Sequence, residues 1–214
     1  FSFKHTKHTL RQHLRTQRRQ YSAAHQQRAA KRLAQHLQLL AGQHRWQHVA
    51  LYWPSDGEID PSLFARDLQR RGVRLYLPVV LQRHGLRFVQ APAQAFSARH
   101  RQHLRQQRWP AKRNRYGLRE PIGRGAIAAH QLDAMLMPLV GFDRQGQRLG
   151  MGGGFYDRIM ARLHRGVRRP QLIGVAHAAQ EQAQLASEPW DQAVDVVVTD
   201  AGRRHRSRAA ANAH

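Results

Sequence analysis

Short apolar runs with strand chemistry alternate with stretches of helical grammar along most of this 214-residue chain, and no other feature constrains the fold as much. "HVALY" (48–52), "VRLYLPVV" (73–80), "LRFVQ" (86–90), "LDAMLMPLVGFD" (132–143), "QLIGVAH" (171–177) and "AVDVVVTD" (193–200) read as strands. Between the first two lies "DPSLFARDLQRRG". Asp60 is placed as a helix cap, Pro61 at the first helical position, Phe64 and Leu68 on one face, and Gly72 past the end. "YDRIMARLHR" predicts a second such helix, and a short one is expected around 180–185. Residues 4–41 predict two helices broken near Gln20–Ser22. Leu10 and Leu14, then Leu33, Leu37 and Leu40, recur at helical spacing, and Ser22 can cap the second helix. Strands alternating with helices predict an α/β fold, a three-layer domain with a mostly parallel central sheet flanked by helices. One domain is expected over residues 1–200. Residues 97–119 read as a basic surface excursion with a turn or two of helix, Pro78 as the end of its strand, and 201–214 as a basic, frayed tail.

Ligands of such sheets bind outside the carboxyl ends of the strands. The loops "WPSDGE", "GFDRQGQRLGMGGG" and "AHAAQ" all follow predicted strands, so they are expected to share one rim. The middle loop is rich in glycine just before a predicted helix. Glycine inside an element costs about 0.5–1 kcal/mol relative to alanine, so the cluster predicts a close approach to bare backbone. It is neither a P-loop nor a dinucleotide fingerprint: no Gly-Lys-Ser/Thr follows, and Phe155 stands where a third fingerprint glycine belongs. The physics of both motifs is nevertheless present. Glycines before a helix N-terminus let amide N–H groups point at an anion, and Arg148 can add charge-assisted bonds to phosphate. Asp157 in the first helical turn, and Asp191 after Trp190, are candidate magnesium carboxylates, because magnesium favours carboxylate and phosphate oxygens. Glu58 beside Trp53 and Pro54 suits a flat heterocycle with N–H donors. Lys7 and Arg11 lie one helical turn apart and can clamp an anion.

The charge balance agrees with anionic ligands. Thirty-six Lys and Arg against 13 Asp and Glu give +23, which attracts nucleotides and other polyanions. Nucleic acid binding is expected only as a nonspecific effect of that charge. The absence of cysteine excludes disulfides, thiolate metal sites and cysteine nucleophiles. The His44/His48 and His100/His103 pairs carry no zinc signature, and there is no nucleophile elbow. No apolar run reaches membrane-spanning length and the first residues lack a signal-peptide core, so a cytoplasmic protein is expected.

"YWPSDGEID", "LPVV", "YGLREP", "LDAMLMPLVGFDRQGQRLGMGGGFYDR", "GVAHAAQ" and "PWDQAVDVVVTD", in that order, resemble the 5-formyltetrahydrofolate cyclo-ligase (5,10-methenyltetrahydrofolate synthetase) family from about Lys7 to Asp200. The resemblance implies an enzyme that closes 5-formyltetrahydrofolate to 5,10-methenyltetrahydrofolate, converting ATP to ADP and phosphate with magnesium through a phosphorylated formyl intermediate. It implies ATP contacts at Lys7, Arg11, Arg148, Leu149, Gly150, Met151, Gly152, Gly153, Gly154, Phe155 and Tyr156. Folate contacts fall at Trp53, Glu58, Phe155 and Tyr156, magnesium at Asp157 and Asp191, and the catalytic roles on Arg148, Tyr156 and Asp157. A monomer is expected, and the length of any polyglutamate tail on the substrate stays open. Relatives often carry a basic residue inside the glycine run and Tyr-Tyr at Phe155–Tyr156; Met151, Gly152 and Gly153 stand in the run here, so a cation must come from elsewhere, with Arg148 and Arg158 the nearest in sequence. Two alternatives remain beside this reading: a basic nucleic-acid-binding protein, and a drifted relative that binds folate or nucleotide without turnover.

Overall fold

A computed structural model describes residues 3–205, except 82–84, 93–94, 97–110, 114–118, 122–124, 165 and 167. Two helices come first, α1 (Phe3–Arg19) and α2 (Ala23–Ala41). The break falls at the expected place, and the Ser22 hydroxyl caps α2 by accepting from the His25 N–H at 3.2 Å. The alternating part follows: β1 (His48–Ala50), α3 (Ser62–Arg70), β2 (Arg74–Val80), β3 (Leu86–Gln90), β4 (Ala111–Arg113), β5 (Arg119–Pro121), β6 (Ala126–Ile127), β7 (Ala134–Pro138), β8 (Gly141–Phe142), β9 (Arg148–Leu149), α4 (Phe155–Leu163), β10 (Gln171–Val175), β11 (Val196–Thr199) and β12 (Gly202–His205).

The main sheet has eight strands in the order β12-β11-β10-β7-β1-β2-β3-β6. Its centre, from β11 to β2, is parallel, and the outer strands β12, β3 and β6 pair antiparallel. This is the expected α/β architecture. Strand side chains alternate between the two faces. Val49, Ala134, Leu136, Ile173, Val175, Val196 and Val198 pack under α2 and α3 with Leu33, Leu37, Phe64 and Leu68. Ala50, Met135, Met137, Leu172 and Val197 point the other way, toward Ile159, Met160 and Leu163 of α4. Helix α1 stands apart from both layers. Its Leu10 and Leu14 pack on Val140, Leu149 and Leu185, at the end where the parallel strands finish.

Several local expectations are corrected. Helix α3 begins at Ser62 with Pro61 in the cap position, although the Asp60 carboxylate still accepts from the Ser62 N–H at 2.8 Å. Strand β2 runs through Pro78 to Val80. The Tyr76 carbonyl accepts from Leu51 on the β1 side, so two residues later the donor-less nitrogen of Pro78 faces the same way, beyond the end of β1. The expected helix near 180–185 is a single 3₁₀ turn at Ala178–Gln180. "GFDRQGQRL" is a small hairpin, β8 with β9, rather than plain loop: the Asp143 carboxylate accepts the Gln145, Gln147 and Leu185 N–H groups at 3.0 Å each. The basic excursion includes β4, which pairs antiparallel with β5 where the excursion ends, and its residues 97–110 and 114–118 lie outside the described residues. The frayed tail is corrected at its start, because Gly202–His205 pairs with β11 and continues the sheet; residues 206–214 lie outside the described residues. No helix among the described residues is long and apolar enough to cross a membrane.

Candidate active site

The three loops meet as expected at the carboxyl ends of the parallel strands, and α1 lies across them. The loop after β1 turns sharply at Asp56 and Gly57, with φ of 53° and 75°. Only glycine fits the second position without strain, since a Cβ there would lie 2.8 Å from the Arg18 carbonyl oxygen. The turn delivers Glu58, whose carboxylate accepts from the Ser55 N–H at 3.0 Å while its own N–H donates to the Ser55 carbonyl at 2.9 Å. The Glu58 side chain is 7% exposed. Desolvation pushes its carboxyl up to about 7, against the opposing pull of Arg18 and the Ser55 N–H. Trp53 is half-buried and packs on the buried Phe96 ring, 5.2 Å between centroids.

The glycine run leaves β9 and enters α4. Gly152 has φ 94°, and Gly154, at φ 62°, occupies the cap position of the helix. Among the described residues, the amides of Gly150, Met151, Gly152, Gly153 and Gly154 donate no hydrogen bond. Cations surround them. Arg11 Nε donates to the Gly150 carbonyl at 2.7 Å, and Arg158 donates to the Gly153 carbonyl at 2.7 Å while lying 5.5 Å from the centre of the Phe155 ring. Burial lowers the Arg11 guanidinium from its ordinary value, with the neighbouring Arg15 charge adding to the effect. Lys7 Nζ donates to Asp191 at 2.5 Å. Arg148 donates to the Gln192 carbonyl at 3.1 Å and pairs with Asp157. The Gln192 N–H approaches Asp157 at 3.5 Å, which ties the loop of Asp191 to the first turn of α4. The Tyr156 ring packs on the α4 core, and burial raises its hydroxyl above the ordinary phenol range, with the Glu58 carboxylate adding to the effect.

Lys7, Arg11, Arg148, Gly150–Gly154, Asp157 and Asp191 are therefore gathered round one turn, with Glu58 and Tyr156 close enough to influence each other electrostatically. Leu149 differs from the rest: its side chain is buried against Leu14, and its carbonyl accepts from the Val140 N–H at 2.8 Å. The His44/His48 pair, without a zinc signature in sequence, has His44 stacked on Trp46 and His48 bonded to the Tyr76 hydroxyl at 2.9 Å. His100 and His103 lie outside the described residues.

Sequence reasoning missed a buried polar layer beneath the rim. Arg18 is 1% exposed. His177 Nε2 donates to the Gly57 carbonyl at 3.3 Å, and burial lowers its ring to about 4. The Gln180 side-chain amide donates to the carbonyls of Leu139 and Val140 at 2.8 and 2.7 Å. Arg18 hides in sequence among Arg15 and Arg19; the one available signal is that Lys7, Arg11, Arg15 and Arg18 recur at helical spacing.

Known proteins resemble this chain over most of its length. The 5-formyltetrahydrofolate cyclo-ligase family model matches residues 3–200. The 5-formyltetrahydrofolate cyclo-ligase of Haemophilus influenzae is 31% identical over 186 residues, covering 85% of this chain and 91% of that protein. The protein of the same name from Escherichia coli K12 is 35% identical over 155 residues, covering 71% and 76%. The solved structure of Aquifex aeolicus 5,10-methenyltetrahydrofolate synthetase superposes with a TM-score of 0.73 at 26% identity, covering 93% of this chain and 92% of that one. The rim, its glycine run and the acids beside it thus sit in a chain that belongs to the 5-formyltetrahydrofolate cyclo-ligase family.

Proposed function

We propose that this chain is an ATP-dependent cyclo-ligase that converts 5-formyltetrahydrofolate to 5,10-methenyltetrahydrofolate with release of ADP and phosphate. The observation that carries the proposal, beside family membership, is the set of amides from Gly150 to Gly154, uncommitted among the described residues, with Arg11, Arg148 and Arg158 against them and Lys7 on the adjoining Asp191. Main-chain N–H groups at a helix N-terminus together with cations bind polyphosphate. Side chains in place of Gly150, Gly152, Gly153 or Gly154 would stand between the phosphates and those amides.

The formyl oxygen attacks the γ-phosphorus, the bond to the bridging β,γ oxygen breaks, and ADP leaves. The N10 nitrogen then attacks the activated formyl carbon and loses its proton. The carbon–oxygen bond breaks, and phosphate departs with the former formyl oxygen. No protein nucleophile is required. The residues align two substrates and neutralise charge, and alignment of this kind can be worth about 7–11 kcal/mol of barrier. Lys7, Arg11 and Arg148 face the phosphoryl oxygens. Glu58 accepts the amino and ring N–H donors of the pterin, with Trp53, Phe155 and Tyr156 as apolar walls. The raised Tyr156 hydroxyl stays protonated and remains a donor.

Asp157 and Asp191 fit a magnesium ion. They are hard oxygen donors on segments tied together through Gln192, and no third His, Asp or Glu group among the described residues completes a protein cage. Phosphate oxygens and water would supply the remaining ligands. The ion's contribution there is to offset triphosphate charge.

The test is to mix protein, magnesium, ATP and 5-formyltetrahydrofolate and follow the absorbance of the methenyl product. An ATP-dependent signal is expected, and its absence removes the proposal, leaving the non-catalytic binder. Asp157→Ala should abolish turnover with an unchanged circular dichroism spectrum; wild-type turnover in that variant would remove the metal role.

A further inference from the structure

We infer that Arg18 is the positioning residue for the pterin end of the site, fixing Glu58 and the Asp56–Gly57 turn against the strand-end carbonyl of Leu139. The inference rests on the proposed function, which places the pterin at Glu58. Arg18 Nε donates to the Asp56 carbonyl at 2.7 Å and Nη2 to the Asp56 carboxylate at 2.9 Å. Nη1 donates to the Leu139 carbonyl at 3.2 Å. Nη2 also faces Glu58 Oε1 at 3.6 Å and the Met151 sulfur at 3.9 Å. One buried guanidinium therefore joins the loop after β1, the end of β7 and the glycine run.

Its neighbours sharpen the assignment. Arg15 donates to Asp56 at 2.7 Å and Arg19 also pairs with it, so the Asp56 carboxylate is shared among three arginines. That leaves the positive charge of Arg18 unbalanced by Asp56 alone, and Glu58 is the next carboxylate it meets. A buried charge is tolerated only when paired and hydrogen-bonded. Arg18 is the cation that opposes the desolvation of the Glu58 carboxylate. The planar fork is essential, because lysine offers a point charge and cannot bond Asp56 and Leu139 in fixed directions at once. Arg18 touches neither substrate in this arrangement and acts through Glu58.

Titration reads this role separately from stability. Glu58 is faced by Arg18 from α1, Asp56 and Ser55 from its own loop, Tyr52 from the end of β1 and Tyr156 from α4. Of these, Arg18 and the Ser55 groups favour the carboxylate, whereas burial and Asp56 oppose it. Removing Arg18 therefore raises the pH at which Glu58 ionises.

The experiment compares wild type with Arg18→Lys and Arg18→Met. Binding of 5-formyltetrahydrofolate and of magnesium ATP is measured by calorimetry, and turnover is followed across the neutral range. For Arg18→Met, 5-formyltetrahydrofolate should bind at least about tenfold more weakly, the loss expected when a buried charge partner is removed. ATP affinity should stay near wild type, and the rise of kcat/KM for the folate should move to higher pH. Arg18→Lys should recover part of the affinity. If Arg18→Met does not fold, Arg18→Lys decides, together with a Glu58→Gln background in which Arg18→Lys should cost no further folate affinity. A folded Arg18→Lys with wild-type folate affinity and pH profile and only a lowered melting temperature overturns the inference, as does an equal loss of ATP affinity. Calorimetric folate binding without turnover in wild type would instead count against the cyclo-ligase reaction and leave the Arg18 role readable.

Discussion

Glu58 and His177 lie on either side of Gly57 and respond to burial in opposite directions. The Glu58 carboxyl rises to about 7 from an ordinary 4.5, so the group favours folding fully below about 4.5, and that contribution is lost as pH climbs through 7. His177 falls to about 4 from an ordinary 6.5, so its contribution is present above 6.5 and lost as pH drops toward 4. The cause is visible in the ring: Nε2 serves the Gly57 carbonyl, while the buried Nδ1 has no partner among the described residues, so a second proton would be stranded. The two effects oppose each other between about 4.5 and 6.5 and flatten the stability profile. Glu58→Gln should raise the melting temperature at alkaline pH, barely change it near the unfolded carboxyl value, and expose the acid-side decline due to His177. The same variant should weaken folate binding. Melting curves across pH check this; a uniform shift at all pH values would contradict it. Glu58 was legible in sequence because an aromatic wall, Trp53 with Pro54, stands beside it in the loop after a strand. His177 and Arg18 were not, because their roles depend on which backbone carbonyls the fold leaves beneath the rim.

At the scale of elements, the alternation of strand and helix was legible from hydrophobic period and turn chemistry, and each expected strand of the parallel centre formed. The misses share a cause: they depend on neighbours. Pro78 continues a strand because β1 is too short to need its missing donor. Gly202–His205 is ordered because β11 offers an open edge. Glycines show the same dependence. Gly57 and Gly72 have similar φ, 75° and 81°, but a Cβ on Gly57 meets the Arg18 carbonyl at 2.8 Å whereas one on Gly72 meets nothing within 4 Å. Gly72→Ala should therefore cost only the left-handed backbone term, about 1–2 kcal/mol. Gly57→Ala should cost clearly more and weaken folate binding as well. Urea unfolding of the two variants checks the order, and equal costs would mean that α1 yields readily to the turn.

Across the whole molecule, charge is segregated along the chain. All 13 acids fall between Asp56 and Asp200, and none lies in the first 55 residues that carry α1 and α2. Many of those acids are held by arginines at the rim or at strand ends, as Asp56, Asp157 and Asp195 are. Arg28, Lys31 and Arg32 on the exposed side of α2 have no acid partner among the described residues. Self-repulsion of a +23 chain should relax as salt is added, so the melting temperature should rise with sodium chloride over the range in which the screening length falls below about 10 Å. Glutamine at 28, 31 and 32 should blunt that rise; a salt-independent melting temperature in wild type would show that the excess charge is harmless to folding. Composition forecast the excess, but only the fold shows where it goes unmatched.

Lys7 on Asp191 and Arg148 on Asp157 have one more consequence. Under the proposed reaction, both carboxylates meant for a divalent ion are already occupied by organic cations that the nucleotide also wants. Nucleotide and ion must then arrive as a couple, in an exchange of dancing partners: a lone metal would have to evict two tenants with nowhere to go, and a lone triphosphate would strand two acids.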